Sequence, residues 1–168
     1  MKQYLMLACC ALSLAACFGE PAQATAAEAC VMPDAKELQT TWAAFRGATL
    51  AGHPEAVAKF YQFPIKLMGP MDEDKPLVIS RAVFVKNYRE LFQVGPAGDE
   101  IGLLADMKKA AGAEHFPKMY FDAQQCRYLT SARVRDYNFI YARKEGWRIT
   151  SVFYGTDYWV AKEAELNK

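Results

Sequence analysis

The spacing of apolar residues changes from helical to alternating about two thirds of the way along this 168-residue chain. Leu38, Trp42 and Phe45 recur at helical spacing, which predicts a helix over Ala35–Ala51. From residue 118 onward, apolar residues alternate with polar ones, which is typical of half-buried strands. Helices followed by a run of antiparallel strands indicate an α+β fold.

Glycine, proline and serine divide the rest of the chain into shorter predicted elements. Gly52 ends the first helix, Phe63-Pro64 stops the second, and Ser80 caps the third. The second predicted helix begins at Pro54, with Val57, Phe60 and Tyr61 on its apolar face, and two short strands follow at Ile65–Met68 and Leu77–Ile79. The helix after Ser80 has Phe84, Tyr88, Leu91 and Phe92 inward, and a short helix over Glu100–Ala111 has Ile101, Leu104 and Met107 inward. Three long strands are predicted over Lys118–Leu129, Arg133–Arg143 and Trp147–Asp157. Residues 130–132 and 144–146 are the predicted turns between these strands.

Three stretches, FYQFPIKL, VISRAVFVKNYRELF and EGWRITSVFYG, together with this order of elements, resemble the NTF2-like (SnoaL/ketosteroid isomerase-like) superfamily. The resemblance covers about residues 35–158 and implies a cone, in which a curved mixed or antiparallel sheet wraps around three to four helices and leaves a pocket at its wide end. A single domain over 33–168 is expected. The stretches carry the fold and are not catalytic signatures.

A three-residue turn at 144–146 would put Arg143, Tyr141, Phe139 and Tyr137 on the same face as Trp147, Ile149, Ser151 and Phe153. Extending the register through 130–132 would pair Arg127 with Arg135. The polar residues then predicted to face the pocket are Arg127, Arg135, Gln125, Tyr137, Tyr141 and Ser151, with His115 in a loop at its mouth. Such a cluster would suit an anionic or carbonyl-bearing ligand. The alternative is that the arginines extend into solvent at the rim and the tyrosines are core rings.

Other chemistry is poorly represented. Asp122 and Asp136 fall on the outer face in this register, so neither is a convincing general base, and Met68 and Met71 form a turn pair without a nearby His or Cys. The sequence lacks a phosphate loop, a metal-ligand cluster and a nucleophile elbow, so no cofactor and no metal are expected. The formal net charge of +1 argues against a general nucleic-acid binder.

The N-terminus has the pattern of an exported protein. An apolar run after Lys2 ends at Leu14-Ala15-Ala16-Cys17, which resembles the bacterial lipobox, so residues 1–16 are interpreted as a signal peptide and Cys17 as the lipidated first residue. Residues 17–32 then form a tether, and the lipid is the only expected membrane contact. The alternative is ordinary cleavage before Thr25, which would give a soluble periplasmic protein.

Two cysteines remain after Cys17, and they are predicted to pair. Cys30 and Cys126 would lie in an oxidising compartment, where even cysteine counts usually form disulfides. In the predicted register Cys126 points outward, where Cys30 in the tail could reach it.

The favoured function is a cell-envelope binding or interaction module that holds a small molecule or a protein segment in the cone. The alternatives are a cofactor-free isomerase, dehydratase or hydrolase, and an accessory protein whose cone is only structural; a homodimer is a further partner to consider. An acid–base residue inside a closed pocket would favour the enzyme. An exposed apolar rim around the pocket would favour a protein partner.

Overall fold

A computed structural model describes residues 30–95, 97–110, 112–155 and 157–163. The predicted signal peptide, Cys17 and Thr25 lie outside the described residues. The fold is α+β, as predicted, with a curved mixed sheet that does not close into a barrel. The described helices are α1 (Glu37–Ala51), α2 (Pro54–Ala58), α3 (Arg81–Lys86), α4 (Tyr88–Phe92), α5 (Gly102–Ala110) and α6 (Asp157–Glu163). The described strands are β1 (Tyr61–Met68), β2 (Leu77–Ile79), β3 (Phe121–Asp122), β4 (Arg127–Tyr128), β5 (Ala132–Val134), β6 (Tyr137–Ala142) and β7 (Gly146–Phe153).

The main sheet has the order β2-β1-β7-β6-β5, and β3 with β4 forms a separate two-stranded sheet. The β1–β7 pair is parallel, and the other pairs are antiparallel. One face of the main sheet packs against the helices, which places a single core between the two layers.

The helical periodicity predicted α1 well. Leu38, Trp42 and Phe45 are buried, and Gly52 ends the helix in the left-handed conformation that glycine tolerates (φ 73°). The second helix is shorter than predicted: it ends at Ala58, and Tyr61 already belongs to β1.

Phe63-Pro64 does not stop a helix. The two residues lie inside β1 and are joined by a cis peptide bond. The pairing of β1 with β7 shifts register between Tyr61 and Lys66, so the proline occupies an irregular part of the ladder, where a missing N–H is tolerated.

Ser80 caps the third helix, as predicted, because its hydroxyl accepts a hydrogen bond from the Val83 N–H at 3.3 Å. The helix is interrupted at Asn87, whose side-chain amide donates to the Val83 carbonyl, so two short helices replace one. The four predicted inward residues are nevertheless buried: Phe84, Tyr88, Leu91 and Phe92.

The three long strands predicted for the last third are not all formed. Residues 118–129 contain only the small hairpin β3–β4, and the chain reverses again at Arg135 and Asp136, which separates β5 from β6. The last strand stops at Phe153, and α6 follows. Asp157 in its first turn accepts a hydrogen bond from the Gly102 N–H at 3.0 Å, which joins α6 to the start of α5.

The β6–β7 register differs from the predicted one by two residues at the hairpin end. Tyr141 pairs with Trp147 and Phe139 with Ile149, so the inward face of this part is as predicted, since a shift of two preserves the side of the sheet. An irregularity next to Phe139 then changes the alternation. Val152 is buried in the core in place of Ser151 and Phe153.

Candidate ligand-binding cleft

The two arginines predicted to face the interior lie on the outside of the domain. Arg127 is exposed at the start of β4, and Gln125 is exposed in the turn before it. Arg135 is exposed in the turn between β5 and β6, with its guanidinium 3.9 Å from the Asp106 carboxylate. The predicted pairing of Arg127 with Arg135 is wrong, because β5 pairs with β6 and the β3–β4 hairpin forms its own sheet.

The remaining predicted site residues are also separated from one another. Tyr137 is buried in the core, whereas Tyr141 is half-buried and His115 is exposed in the loop after α5. The half-buried Ser151 hydroxyl accepts a hydrogen bond from the Asn138 amide at 3.0 Å. The structure therefore does not assemble the predicted polar cluster.

Aromatic rings fill the space between the helices and the inner face of the sheet. The ring centroid of Phe45 lies 5.0 Å from that of Tyr137, and Trp42 lies 5.6 Å from Tyr137 and 6.2 Å from Phe139. These are normal distances for rings in contact. Apart from Thr49, the buried core residues that the structure describes are apolar or aromatic. A carboxylate lies beside the core, because the Glu114 side chain is only 2% exposed; its Oε1 is 3.7 Å from the Arg46 guanidinium and has no hydrogen-bond partner.

Burial changes the acidity of the core tyrosines. It raises the pKa of Tyr61 and Tyr137 well above the usual value of 10.0 and that of Tyr88 to about 12, because a phenolate is poorly solvated there. The Tyr88 hydroxyl lies beside Thr49, but the two hydroxyls do not reach hydrogen-bond geometry, and the Tyr88 oxygen has no partner.

A cavity of about 450 Å³ lies between the N-terminal segment and the β3–β4 hairpin, at the edge of this core. Two backbone segments form its opposite walls: residues 32–35, which lead into α1, and residues 117–121, which lead into the hairpin. The remaining lining residues come from the helix and the sheet: Leu38, Tyr128 and Trp147. We refer to this cavity and its walls as the tail cleft.

Aromatic side chains form the floor of the tail cleft. The Tyr128 ring lies 4.8 Å from Trp147 and 5.1 Å from Phe121, and Tyr141 lies 5.4 Å from both Tyr128 and Trp147. The rings hold one another, so the floor is rigid and apolar. The indole nitrogen of Trp147 is buried and has no hydrogen-bond partner.

Few charged groups reach the cleft, and both signs are present. Asp34 and Lys118 line it, one on each wall. Glu37 lies nearby at the start of α1, and its pKa is raised by partial burial and by the neighbouring Asp34 carboxylate. Burial is the largest cause that raises the pKa of Tyr128 and Tyr141, and the nearby Glu37 carboxylate raises it further. The tail cleft thus suits an apolar group better than an anion.

Exposed apolar side chains surround the cleft. Val31 and Met32 on the tail are 77% and 70% exposed, and Tyr120 and Leu129 on the hairpin are both 61% exposed. Tyr120 and Leu129 are adjacent, because the Leu129 N–H donates to the Tyr120 carbonyl at 3.0 Å. These four residues form an apolar rim, the feature expected beside a protein-binding site.

The two walls meet at the predicted cysteine pair. The sulfur atoms of Cys30 and Cys126 lie at disulfide-bonding distance, and their Cα atoms are 5.5 Å apart. Cys126 occupies the β3–β4 turn with a positive φ of 51°. The Asp122 carboxylate accepts hydrogen bonds from the N–H groups of Gln124 and Gln125, which fixes that turn.

Two other depressions carry less chemistry. One of about 180 Å³ contains Asp106, Asp136 and Asp157, and each of these carboxylates has a partner: Arg135, Arg133 and the Gly102 N–H. The other, of about 260 Å³, is lined by residues of β1 and β7, among them Lys66 and Ser151. Within the described ranges, no group of three or more His, Cys, Asp or Glu side chains is arranged to hold a metal ion.

Sequence reasoning missed the tail cleft because it assigned residues 17–32 to a tether and residues 118–129 to one strand. The signal was nevertheless present. Val31 and Met32 follow Cys30, and Met119, Tyr120 and Phe121 precede Cys126, so apolar residues accompany both cysteines. Linking the cysteines therefore brings two apolar segments together.

Comparisons of the chain with known protein families, with curated protein sequences and with solved structures find no match. In the part of the chain that the structure describes, no helix is both long and apolar enough to cross a membrane.

Proposed function

We propose that this chain is a binding module of the bacterial cell envelope, with an NTF2-like fold, and that its tail cleft receives an apolar segment of a protein partner. The observation that carries the proposal is the apolar cavity with exposed apolar side chains in its walls, Met32 and Tyr120, and next to them, Val31 and Leu129. A small-molecule site alone would not require four exposed apolar side chains around its mouth.

The dimensions and chemistry of the cleft support binding. Its volume of about 450 Å³ falls within the range of roughly 300–1,000 Å³ that is usual for ligand sites. Asp34 and Lys118, on opposite walls, can orient a bound segment through its backbone amides or charged side chains. The anionic or carbonyl-bearing ligand expected for Arg127, Arg135 and Tyr137 is replaced by an apolar one, since those residues do not share a site.

The fold proposal is supported by the curved sheet, the helices against one of its faces and the position of the three resembling stretches. FYQFPIKL spans β1, VISRAVFVKNYRELF spans α3 and α4, and EGWRITSVFYG spans β7. The enzyme alternative would require an acid–base residue inside the cone. The inward-facing residues of the described sheet are aliphatic or aromatic, and the buried Glu114 carboxylate is paired with Arg46 and does not line the tail cleft, so the binding function is preferred.

The envelope location is supported by the lipobox-like Leu14-Ala15-Ala16-Cys17 and by the cysteine pair. Mass spectrometry of the mature N-terminus tests it: a diacylated or triacylated Cys17 is expected, and Cys17→Ser should release the protein from membranes, because stable anchoring needs more than one acyl chain. A mature chain that begins with an unmodified Thr25 would instead establish the soluble periplasmic form.

Selection of peptides from a random heptapeptide display library on the purified, oxidised protein tests the binding function. Enriched peptides should carry aromatic or aliphatic side chains. Tyr120→Ser and Leu129→Ser should weaken their binding about tenfold, which corresponds to about 1.4 kcal/mol. Val78→Ser is the matched control, because Val78 is 55% exposed on β2, outside the cleft.

Three outcomes would overturn this proposal. Enriched peptides that bind equally to the Tyr120→Ser and Val78→Ser variants would place the interaction elsewhere. A library that yields no binders would remove the protein partner. Binding of the apolar dye 1-anilinonaphthalene-8-sulfonate that depends on Tyr120, without any enriched peptide, would assign the cleft to a small molecule instead.

A further inference from the structure

The walls of the tail cleft belong to segments that are far apart in sequence. Cys30 and Cys126 are separated by 96 residues, and the cleft lies directly beside their link, between residues 32–35 and 117–121. The first of these walls, residues 32–35, leads directly into α1. The geometry of the cleft therefore depends on what holds this wall in place.

The described residues of the two walls make no polar contact with each other. In the described part of the chain, no hydrogen bond and no ion pair joins residues 31–36 to residues 117–128. The polar contacts of the tail are local: the Asp34 carboxylate accepts from the Lys36 N–H, and the Asp34 carbonyl accepts from the Glu37 N–H. Pro33 is buried, whereas Val31 and Met32 are exposed. Among the covalent bonds, hydrogen bonds and ion pairs of the described residues, only the cysteine link joins the two walls.

The link is accessible to a reductant. Cys30 is exposed and Cys126 is half-buried. A thiolate of a dithiol reductant can attack the Cys30 sulfur, which forms a mixed disulfide and releases the Cys126 thiolate. The second thiol of the reductant then attacks the mixed disulfide, so that the reductant leaves as a disulfide and both cysteines gain a proton. Two electrons pass from the dithiol to the protein.

We propose that the Cys30–Cys126 link controls the tail cleft: the oxidised protein binds its partner, and reduction by a dithiol frees the tail wall and abolishes binding. This inference rests on the binding function proposed above. The core between the helices and the main sheet stays intact on reduction, because neither cysteine belongs to it. A loss of structure confined to the cleft distinguishes control of the site from unfolding of the whole domain.

The experiment compares the purified protein in oxidised form, after treatment with dithiothreitol, and as the Cys30→Ser/Cys126→Ser variant. One readout is the affinity for a heptapeptide selected on the oxidised protein, which should fall at least tenfold in both reduced forms. The other is hydrogen–deuterium exchange by mass spectrometry. Residues 30–36 and 117–128 should lose their protection altogether, whereas β6 and β7 should stay protected, with only the acceleration that a lower global stability causes.

Each result has one meaning. Equal peptide affinity in the oxidised and reduced forms would overturn the control mechanism while leaving the binding function intact. Loss of protection in β6 and β7 to the same degree as in residues 117–128 would also overturn it, since reduction would then unfold the whole domain. If no peptide binds the oxidised protein, the proposed function fails, and the exchange pattern still reports whether the link holds the tail wall.

Discussion

The core and the tail cleft are both built from aromatic rings, but only the core is closed. In the core, Trp42, Phe45 and Phe139 come from a helix and a central strand and fill the space between them. In the cleft, Tyr128 and Trp147 form a floor whose second wall is a segment held by a cysteine link. The space between the helices and the sheet, where the sequence predicted a pocket, is thus occupied by the protein's own side chains. The tail cleft lies at the edge of this core.

The largest expected effect comes from truncating one aromatic ring in the core, which is compared with truncating one on the rim of the tail cleft. Phe139→Ala should lower the free energy of unfolding by about 3–5 kcal/mol, because the fully buried ring leaves a cavity. Tyr120→Ala should change it by no more than about 0.5 kcal/mol, because that side chain is 61% exposed. Urea unfolding followed by circular dichroism measures both. A large loss for Tyr120→Ala would show that the rim belongs to the core.

Opening the cysteine link should have the next largest effect. Cys30→Ser/Cys126→Ser should reduce the free energy of unfolding by about 2–4 kcal/mol, because the unfolded chain regains the freedom of a long loop. The same urea titration measures it, with Cys30→Ser/Cys126→Ser compared against wild-type protein under oxidising conditions. An unchanged urea midpoint would mean that the link positions the walls of the cleft but does not restrict the conformations of the unfolded chain.

The smallest expected effect is on the pH dependence of stability, which the buried hydroxyl of Tyr88 contributes to. Tyr88 has a pKa of about 12 in the folded protein and about 10 when unfolded, so its contribution to stability is complete below pH 10 and is lost as the pH rises toward 12. Tyr88→Phe should therefore lessen the loss of stability between pH 10 and 12 by about 2 kcal/mol. At pH 7 the variant should be at least as stable as wild type, since the Tyr88 hydroxyl is buried without a partner.

Urea midpoints at pH 7, 10 and 12 measure this difference, and Tyr120→Phe serves as the exposed control on the rim of the cleft. A Tyr88→Phe variant that loses stability with pH as steeply as wild type would contradict the burial of this hydroxyl. A Tyr120→Phe variant that behaves like Tyr88→Phe would remove the contrast between the two regions.

Periodicity predicted the helices and the inward faces of the strands because burial imposes a repeat on the sequence. Leu38, Trp42 and Phe45 needed only the spacing of a helix, and Trp147 and Ile149 needed only the alternation of a strand. An error of two residues in the register preserved their side of the sheet. These features are local, and the sequence carries them directly.

The site could not be predicted in the same way, because it depends on where the chain reverses. The reversal at Arg135 uses a positive φ of 50°, which arginine rarely adopts, so the residue type gives no warning. The register shift beside Phe139 likewise cannot be recognised from the residue types, yet it turns Ser151 away from the inner face. Both features change which polar residues lie close together, so Arg127, Arg135 and Tyr137 do not form the predicted group.

The position of Cys30 also determines how far the domain can stand from a bilayer. If Cys17 carries the lipid, the membrane anchor lies 13 positions before Cys30, where the cysteine link attaches the chain to the hairpin. A fully extended chain of that length reaches at most about 45 Å. Because the attachment point is at the rim of the tail cleft, the cleft would always remain within that distance of the lipid headgroups. A partner would then have to present its apolar segment close to the membrane surface.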